Sequence, residues 1–411
     1  MEETKRINLE CSELWWKSDK KLNLDIKKYT AEEKKIKENR LDNYIDLIIE
    51  KVKNFPKEDD ERILWKAEIN KIIDDFIYSE KDTFKLGILN EEFKENFFDS
   101  TKTFIRKAKE FDKNLNYVDI GQAMRNVWII NLLQASFGEK VEFSKAIFGY
   151  SMLYPYTDNY LDDIKIDINE KKDFNHNLKK KLKGEVIESK NEYEKLVYKL
   201  VEYIEKTFER NKYNKLYEAL LLIHEGQIKS LNQQEYISVP YENNILEISI
   251  EKGGSSVLVD GFLTKGKLNK DEISFCIFYG FLLQLADDLQ DVKIDIANNH
   301  TTIMSQLASR YKLDTIANKL INFTLTVLND STCFKGRNIM ELKELIKINC
   351  IMLILFSVIL SKEFFSIEYI KSIEEYLPFS IKYIEKIKYK LRKKVRKLKF
   401  EDALNYILDT K

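Results

Sequence analysis

Proline and glycine are scarce in this chain: 4 prolines and 12 glycines among 411 residues, with no glycine before Gly87. Hairpin and barrel architectures need turn residues at close intervals, so this scarcity excludes a β-rich fold and points to long helices. Cysteine is equally sparse. Cys11, Cys276, Cys333 and Cys350 form no CxxC pair and are too few for a disulfide framework, which points to a reducing compartment, the cytoplasm. An excess of either charge is missing too. The 68 Lys and Arg balance 68 Asp and Glu, which excludes a nucleic-acid binder working through bulk positive charge. The N-terminal stretch has no apolar core of the kind a secretory signal needs. No uncharged run exceeds the fourteen residues of Ile348–Ser361, against roughly 20 for a bilayer span. That run reads as a core helix or a dimer face.

Apolar residues make up 44% of the chain and charged residues 33%, enough for a sizeable core under a solvated surface, so general disorder is excluded. Apolar positions recur at the 3–4 spacing of amphipathic helices. Leu41, Ile45, Ile48, Ile49 and Val52 share one face; Leu196, Val197, Leu200, Val201 and Ile204 share another. Ile384, Ile387, Leu391, Val395 and Leu398 repeat the pattern near the C-terminus. Tyr236–Ile250, which mixes Val, Tyr and Ile with Pro240, suits a short extended piece. No Gly/Ser/Pro-rich linker divides the chain. The expected fold is all-α: a single helical bundle over residues 101–411, with an N-terminal helical extension over 1–100 packed on it.

Two acidic motifs stand out. YPYTDNYLDDIKID carries Asp158, Asp162, Asp163 and Asp167, and a helix would stack Asp158 and Asp162 one turn apart. LLQLADDLQDVKID carries Asp287, Asp288, Asp291 and Asp295, which share with Gln284 an arc of roughly 100° on a helix. Stacked like charges destabilise a helix by about 0.2–0.5 kcal/mol per pair. Buried unpaired carboxylates cost several kcal/mol each, as an order of magnitude. The second motif follows the apolar run FCIFYGFLLQLA, and no Lys or Arg lies between Lys270 and Lys293. A hard divalent cation is a fitting neutraliser, since Mg²⁺ binds through one or two carboxylates plus substrate phosphates. The plainer reading of the first motif is a solvated helix start, with Pro155 and Thr157 as first turn and cap and the carboxylates complementing the dipole.

Together these residues resemble the class I isoprenoid synthases, which include terpene cyclases, trans-prenyl diphosphate synthases and squalene/phytoene-type enzymes. Asp158-x-x-x-Asp162 resembles the first aspartate-rich motif. HEGQIKSL, with Gln227, is similar to the Gly-Gln segment of a pocket-lining helix. EKGGSS, with Lys252, is similar to a kinked helix whose lysine contacts diphosphate. QLADDLQD, with Gln284 and Asp287, resembles the second aspartate-rich motif. The intervals of 69, 25 and 35 residues each leave room for a helix or helix pair. The resemblance spans roughly residues 122–307.

The resemblance implies a helical bundle with a central apolar pocket and three Mg²⁺ ions at its mouth. Asp158 and Asp162 would hold two of them, and Asp287, with Asp291, the third. Gln227, Lys252 and Gln284 would contact a prenyl diphosphate. Arg125, one helix before the first motif, could reach the same group or form an exposed or core-edge ion pair. The implied activity is a Mg²⁺-dependent terpene synthase that ionises a linear prenyl diphosphate and cyclises or quenches the allylic cation. The alternatives are a prenyltransferase, elongating chains or joining them head-to-head, and a non-catalytic helical subunit. Several features depart from the elongating enzymes. Asn159 stands at the second position of the first motif, the sole Gly-Gly is Gly253-Gly254, and no arginine lies between Arg125 and Arg210. Lys165, Lys171 and Lys172 could replace an arginine pair only loosely, because lysine lacks the bidentate fork.

Beyond the motifs, His300, Asn298 and Thr302 follow the second acidic cluster and could contact phosphate or metal, or simply form a polar loop. His176 and His224 have no partner at zinc-ligand spacing, and His224 reads as structural beside Gln227. Lys382–Lys399 has ten basic residues against one acid. It suits either peripheral contact with an anionic membrane or a solvated terminal helix. Dimers are common among relatives of this fold, so a homodimer is in keeping.

Overall fold

Most helices begin where a short polar side chain accepts hydrogen bonds from backbone amides left unpaired in the first turn. Thr30 and Asn269 each form a reciprocal capping box, with Glu33 and Glu272 respectively. Asn90, Asn116, Ser144, Asp167 and Asn191 cap four-turn or longer helices singly. The computed structural model describes residues 2–81, 83–88, 90–163, 165–231, 233, 242–336, 338–395, 403 and 406–407. Of these, the side chains of Ile88, Asp162, Lys388 and 391–395 lie outside the description.

The helices run α1 Glu2–Lys17, α2 Ala31–Lys53, α3 Asp59–Ser79, α4 Glu91–Phe111, α5 Tyr117–Ser136, α6 Lys145–Asp162, α7 Ile168–Lys183 and α8 Glu192–Thr207. Then follow α9 Asn214–Leu231, α10 Ile245–Lys265, α11 Lys270–Ala297, α12 Ile303–Ala308, α13 Asp314–Asp330, α14 Ile339–Leu360, α15 Ile367–Glu374 and α16 Ile381–Val395. No strand occurs among the described residues. Within Tyr236–Ile250, where a short extended piece was expected, Asn244 caps α10 and Ile245–Ile250 are helical. Residues 236–241 lie outside the described residues.

Helix α10 is the centre of the bundle, packed against α5, α6, α9 and α11, with α8 behind α6. Helix α1 is part of the same core. Its Ile7, Cys11 and Trp15 are buried, and the Trp15 ring meets Phe281 of α11 and Phe323 of α13 edge-on at 5.7 and 5.9 Å. Helices α2 and α3 pair with each other over a smaller cluster of Val52, Trp65, Ile69 and Ala403. The apolar run Ile348–Ser361 forms the end and C-cap of α14, which packs on α11 and α13; most of it is buried, while Leu353 and Leu360 are exposed. The basic stretch 382–399 begins in α16, which packs on α14 through Ile384, while 396–399 lie outside the described residues. Among the described residues, no helix is long and apolar enough to cross a membrane.

Candidate active site

Three helices meet backbone to backbone. A Cβ on Gly253 of α10 would lie 2.5 Å from the Gly280 carbonyl oxygen of α11 and 2.6 Å from the Gln284 Cβ. A Cβ on Gly226 of α9 would lie 3.2 Å from the Lys252 Cα. A real Cβ does not tolerate the approach at Gly253, and the one at Gly226 is tight enough that its neighbour would have to shift, so these glycines let α9, α10 and α11 converge around Lys252. Gln227, Lys252 and Gln284 are the immediate neighbours of those glycines, which is why they point into one space. Helix α10 runs unbroken through Lys252.

That space is a cavity of about 920 Å³. Asp158 from α6, Arg125 from α5, Gln227 from α9, Lys252 from α10, and Gln284, Asp287 and Asp291 from α11 all line it. Asp288, Asp295, Asn298, His300 and Thr302 complete the acidic side. Seven of the eight site residues singled out in the sequence therefore share one cavity. The eighth, Asp162, ends α6, and its side chain lies outside the described residues. Asn159 faces away from the cavity, donating from Nδ2 to the Asp119 carboxylate at 3.5 Å. Lys165, Lys171 and Lys172 are absent from the described lining.

The helix-start reading of the first motif is corrected. Pro155 lies inside α6, and Asp158 sits four residues from its C-terminus. The second cluster likewise occupies the last turns of α11. Helix C-termini carry partial negative charge, so carboxylates there are disfavoured rather than welcomed. The dipole does not explain either cluster.

Partial neutralisation comes from other helices. Arg125 Nη1 stands 3.6 Å from Asp287 Oδ1, with both side chains about half exposed. Although open to the cavity, Asp287 is ringed by protein that strips away bulk water, and this desolvation raises its pKa, opposed by Arg125 and reinforced by Asp291 and Asp158. Gln284 Nε2 donates to Asp288 Oδ1 at 2.8 Å, but Asp288 Oδ2 is buried with no partner. Burial pushes the Asp288 carboxyl up to about 7. Asp295 accepts from the Thr302 hydroxyl at 3.3 Å and lies 3.6 Å from His300 Nδ1. Burial, and then Asp291, push it up to about 6. Thr302 thus holds Asp295 and also caps α12. Tyr154, one turn before Asp158, feels burial first and then the Asp158 and Asp287 carboxylates, and its phenol is pushed well above its ordinary range.

Below the cavity lies a narrower chamber of about 100 Å³, sharing Tyr154, Gln227, Lys252, Gln284 and Asp287 with it. Its remaining lining mixes Leu153, Leu178, Leu182, Leu220 and Ile223 with Asn126, Tyr150, Thr157, His224 and Ser256. Tyr154 went unnamed in the sequence because 24 Phe and 22 Tyr offer no contrast. Its place at i−4 from Asp158 was the available signal.

The donor set suits a hard cation. Unpartnered carboxylate and amide oxygens, Asp288 Oδ2 and Gln122 Oε1, are buried at the cavity, and oxygen is what Mg²⁺ takes. Among the described residues no three His, Cys, Asp or Glu side chains stand close enough to hold a metal unaided, so water or phosphate oxygens would have to complete any shell. Searches against family models, curated proteins and solved structures find no match for this chain.

Proposed function

We propose that this chain is a Mg²⁺-dependent class I terpene synthase, ionising a linear prenyl diphosphate and cyclising or quenching the allylic cation. One observation carries the reading: Asp158 and Asp287, 129 residues apart in sequence, line one cavity with Arg125 and Lys252, and a smaller chamber that shares part of this lining has Leu153, Leu178, Leu182 and Leu220 in its wall.

Charge accounting supports it. Five aspartates and two cationic side chains line the described mouth. A diphosphate would add further negative charge, so the ligand needs divalent cations beside it. Asp158, Asp287 and Asp291, with Asp162 by its place in the motif, would hold Mg²⁺, which supplies positive charge to the departing diphosphate. Arg125 and Lys252 would bind the same oxygens, Arg125 exchanging Asp287 for phosphate. Gln227 and Gln284 would orient the ester. As the C–O bond breaks, its electron pair leaves with diphosphate and the allylic cation stays in the apolar chamber, where water is excluded.

The second reading is a prenyltransferase, favoured by a mouth far wider than the chamber, with room for a second diphosphate. Only Arg125 and Lys252 are available there among the described cations to hold it. Incubation with geranyl, farnesyl and geranylgeranyl diphosphates plus Mg²⁺, followed by mass spectrometry, separates the readings. A hydrocarbon or alcohol of unchanged carbon number supports the synthase. A longer diphosphate made only with added isopentenyl diphosphate, or a head-to-head dimer, supports the transferase. No product from any substrate leaves a non-catalytic subunit.

A further inference from the structure

His224 sits in the middle of α9, one turn deeper than Gln227, and is 2% exposed. It lines the chamber, yet its Nε2 has no hydrogen-bond partner. Two of the chamber's hydroxyls are otherwise engaged: Tyr150 donates to the Ser256 carbonyl at 3.0 Å, and Thr157 to the Leu153 carbonyl at 2.8 Å. Burial lowers the His224 pKa to about 4, Lys179 acts in the same direction, and a hydrogen bond to the Asn175 backbone opposes them. The ring is therefore neutral near pH 7. With Nδ1–H donating to the Asn175 carbonyl, the lone pair is on Nε2. A purely structural histidine would leave a buried acceptor unsatisfied at a cost of roughly 1–3 kcal/mol.

We propose that His224 is the base that ends the reaction. The inference rests on the synthase reading above. Ionisation at the mouth leaves the cation's carbon chain extending past Gln227 toward His224. Nε2 takes a proton from a carbon adjacent to the cationic centre, and the C–H electron pair becomes a C=C bond. The product is a neutral olefin, and the imidazolium returns its proton to the departing diphosphate or to water as the site empties. His224 is a catalytic residue in this sense, distinct from the groups that bind diphosphate.

The test is the product mixture per diphosphate released, compared among wild type, His224→Gln and His224→Phe. Glutamine keeps a donor for Asn175 and phenylalanine keeps the ring volume, while neither carries a basic nitrogen. The wild-type olefin's share should fall at least tenfold in both, replaced by isomers or a water-quenched alcohol. An unaltered mixture in a folded variant overturns the assignment. If neither variant folds, the wild-type product decides: an olefin supports a terminal base, and an alcohol as sole product overturns it. No diphosphate release by the wild type from any prenyl diphosphate overturns the synthase reading itself, and this proposal with it.

Discussion

The Arg125 guanidinium of α5 stands 3.6 Å from the Asp287 carboxylate of α11, the two half exposed over the same cavity. At that distance and exposure the pair contributes at most ~1 kcal/mol to stability. It holds a cation in place at the site where a diphosphate would arrive.

Arg125→Ala should therefore leave the thermal midpoint within about 2 °C of wild type. Affinity for inorganic diphosphate with Mg²⁺ should fall ten- to a hundredfold, as expected for losing a charge-assisted bond worth roughly 1.5–3 kcal/mol. Calorimetric titration reads the second quantity and a melting curve the first. A large loss of stability with intact binding would make Arg125 structural.

The glycine crossing makes a contrasting pair. Gly280→Ala pushes a Cβ into the Gly253 backbone and should cost about 1–3 kcal/mol or more, because overpacking cannot relax there. Gly121→Ala on α5 meets nothing within 4 Å and should stabilise by about 0.5–1 kcal/mol through helix propensity. Urea denaturation of the two variants checks both signs.

Asp288 gives a pH signature in metal-free protein. Its folded pKa is raised from 3.8 to about 7, so the native state binds more protons than the unfolded chain between those values. Stability from this group is full below the unfolded pKa and is lost as pH rises toward 7, by roughly 4 kcal/mol at most. Subtracting the stability curve of Asp288→Asn, measured in EDTA, should isolate that decline. A difference flat from pH 4 to 8 would mean that Asp288 is not desolvated.

Trp15 tests whether α1 is integral to the core. Its ring packs on Phe281 and Phe323, so Trp15→Ala should cost about 3–5 kcal/mol. A loss below about 1 kcal/mol by denaturant titration would place α1 outside the cooperative unit.

How much of this was legible before the coordinates follows from the range of each interaction. Helical periodicity is local, so the runs at Leu41–Val52 and Leu196–Ile204 read directly as α2 and α8. The arc of Gln284, Asp287, Asp288, Asp291 and Asp295 was also readable, because one helix fixes it. Pro155 misled: it suggested a helix start, although α6 had begun ten residues earlier at Lys145. The partners of the acidic clusters were out of reach. Arg125 meets Asp287 across 162 residues of sequence, and Gly226, Gly253 and Gly280 announce a three-helix crossing only once the helices are docked. His224 looked structural because its bond to Asn175 and its unpartnered nitrogen are tertiary facts.

The most direct test of the central claim is diphosphate release from geranyl, farnesyl and geranylgeranyl diphosphates, followed with Mg²⁺ and with EDTA. The account predicts Mg²⁺-dependent release from at least one substrate, reduced by orders of magnitude in both Asp158→Ala and Asp287→Ala at unchanged helical circular dichroism. Release that persists in both variants, or in EDTA, would contradict it.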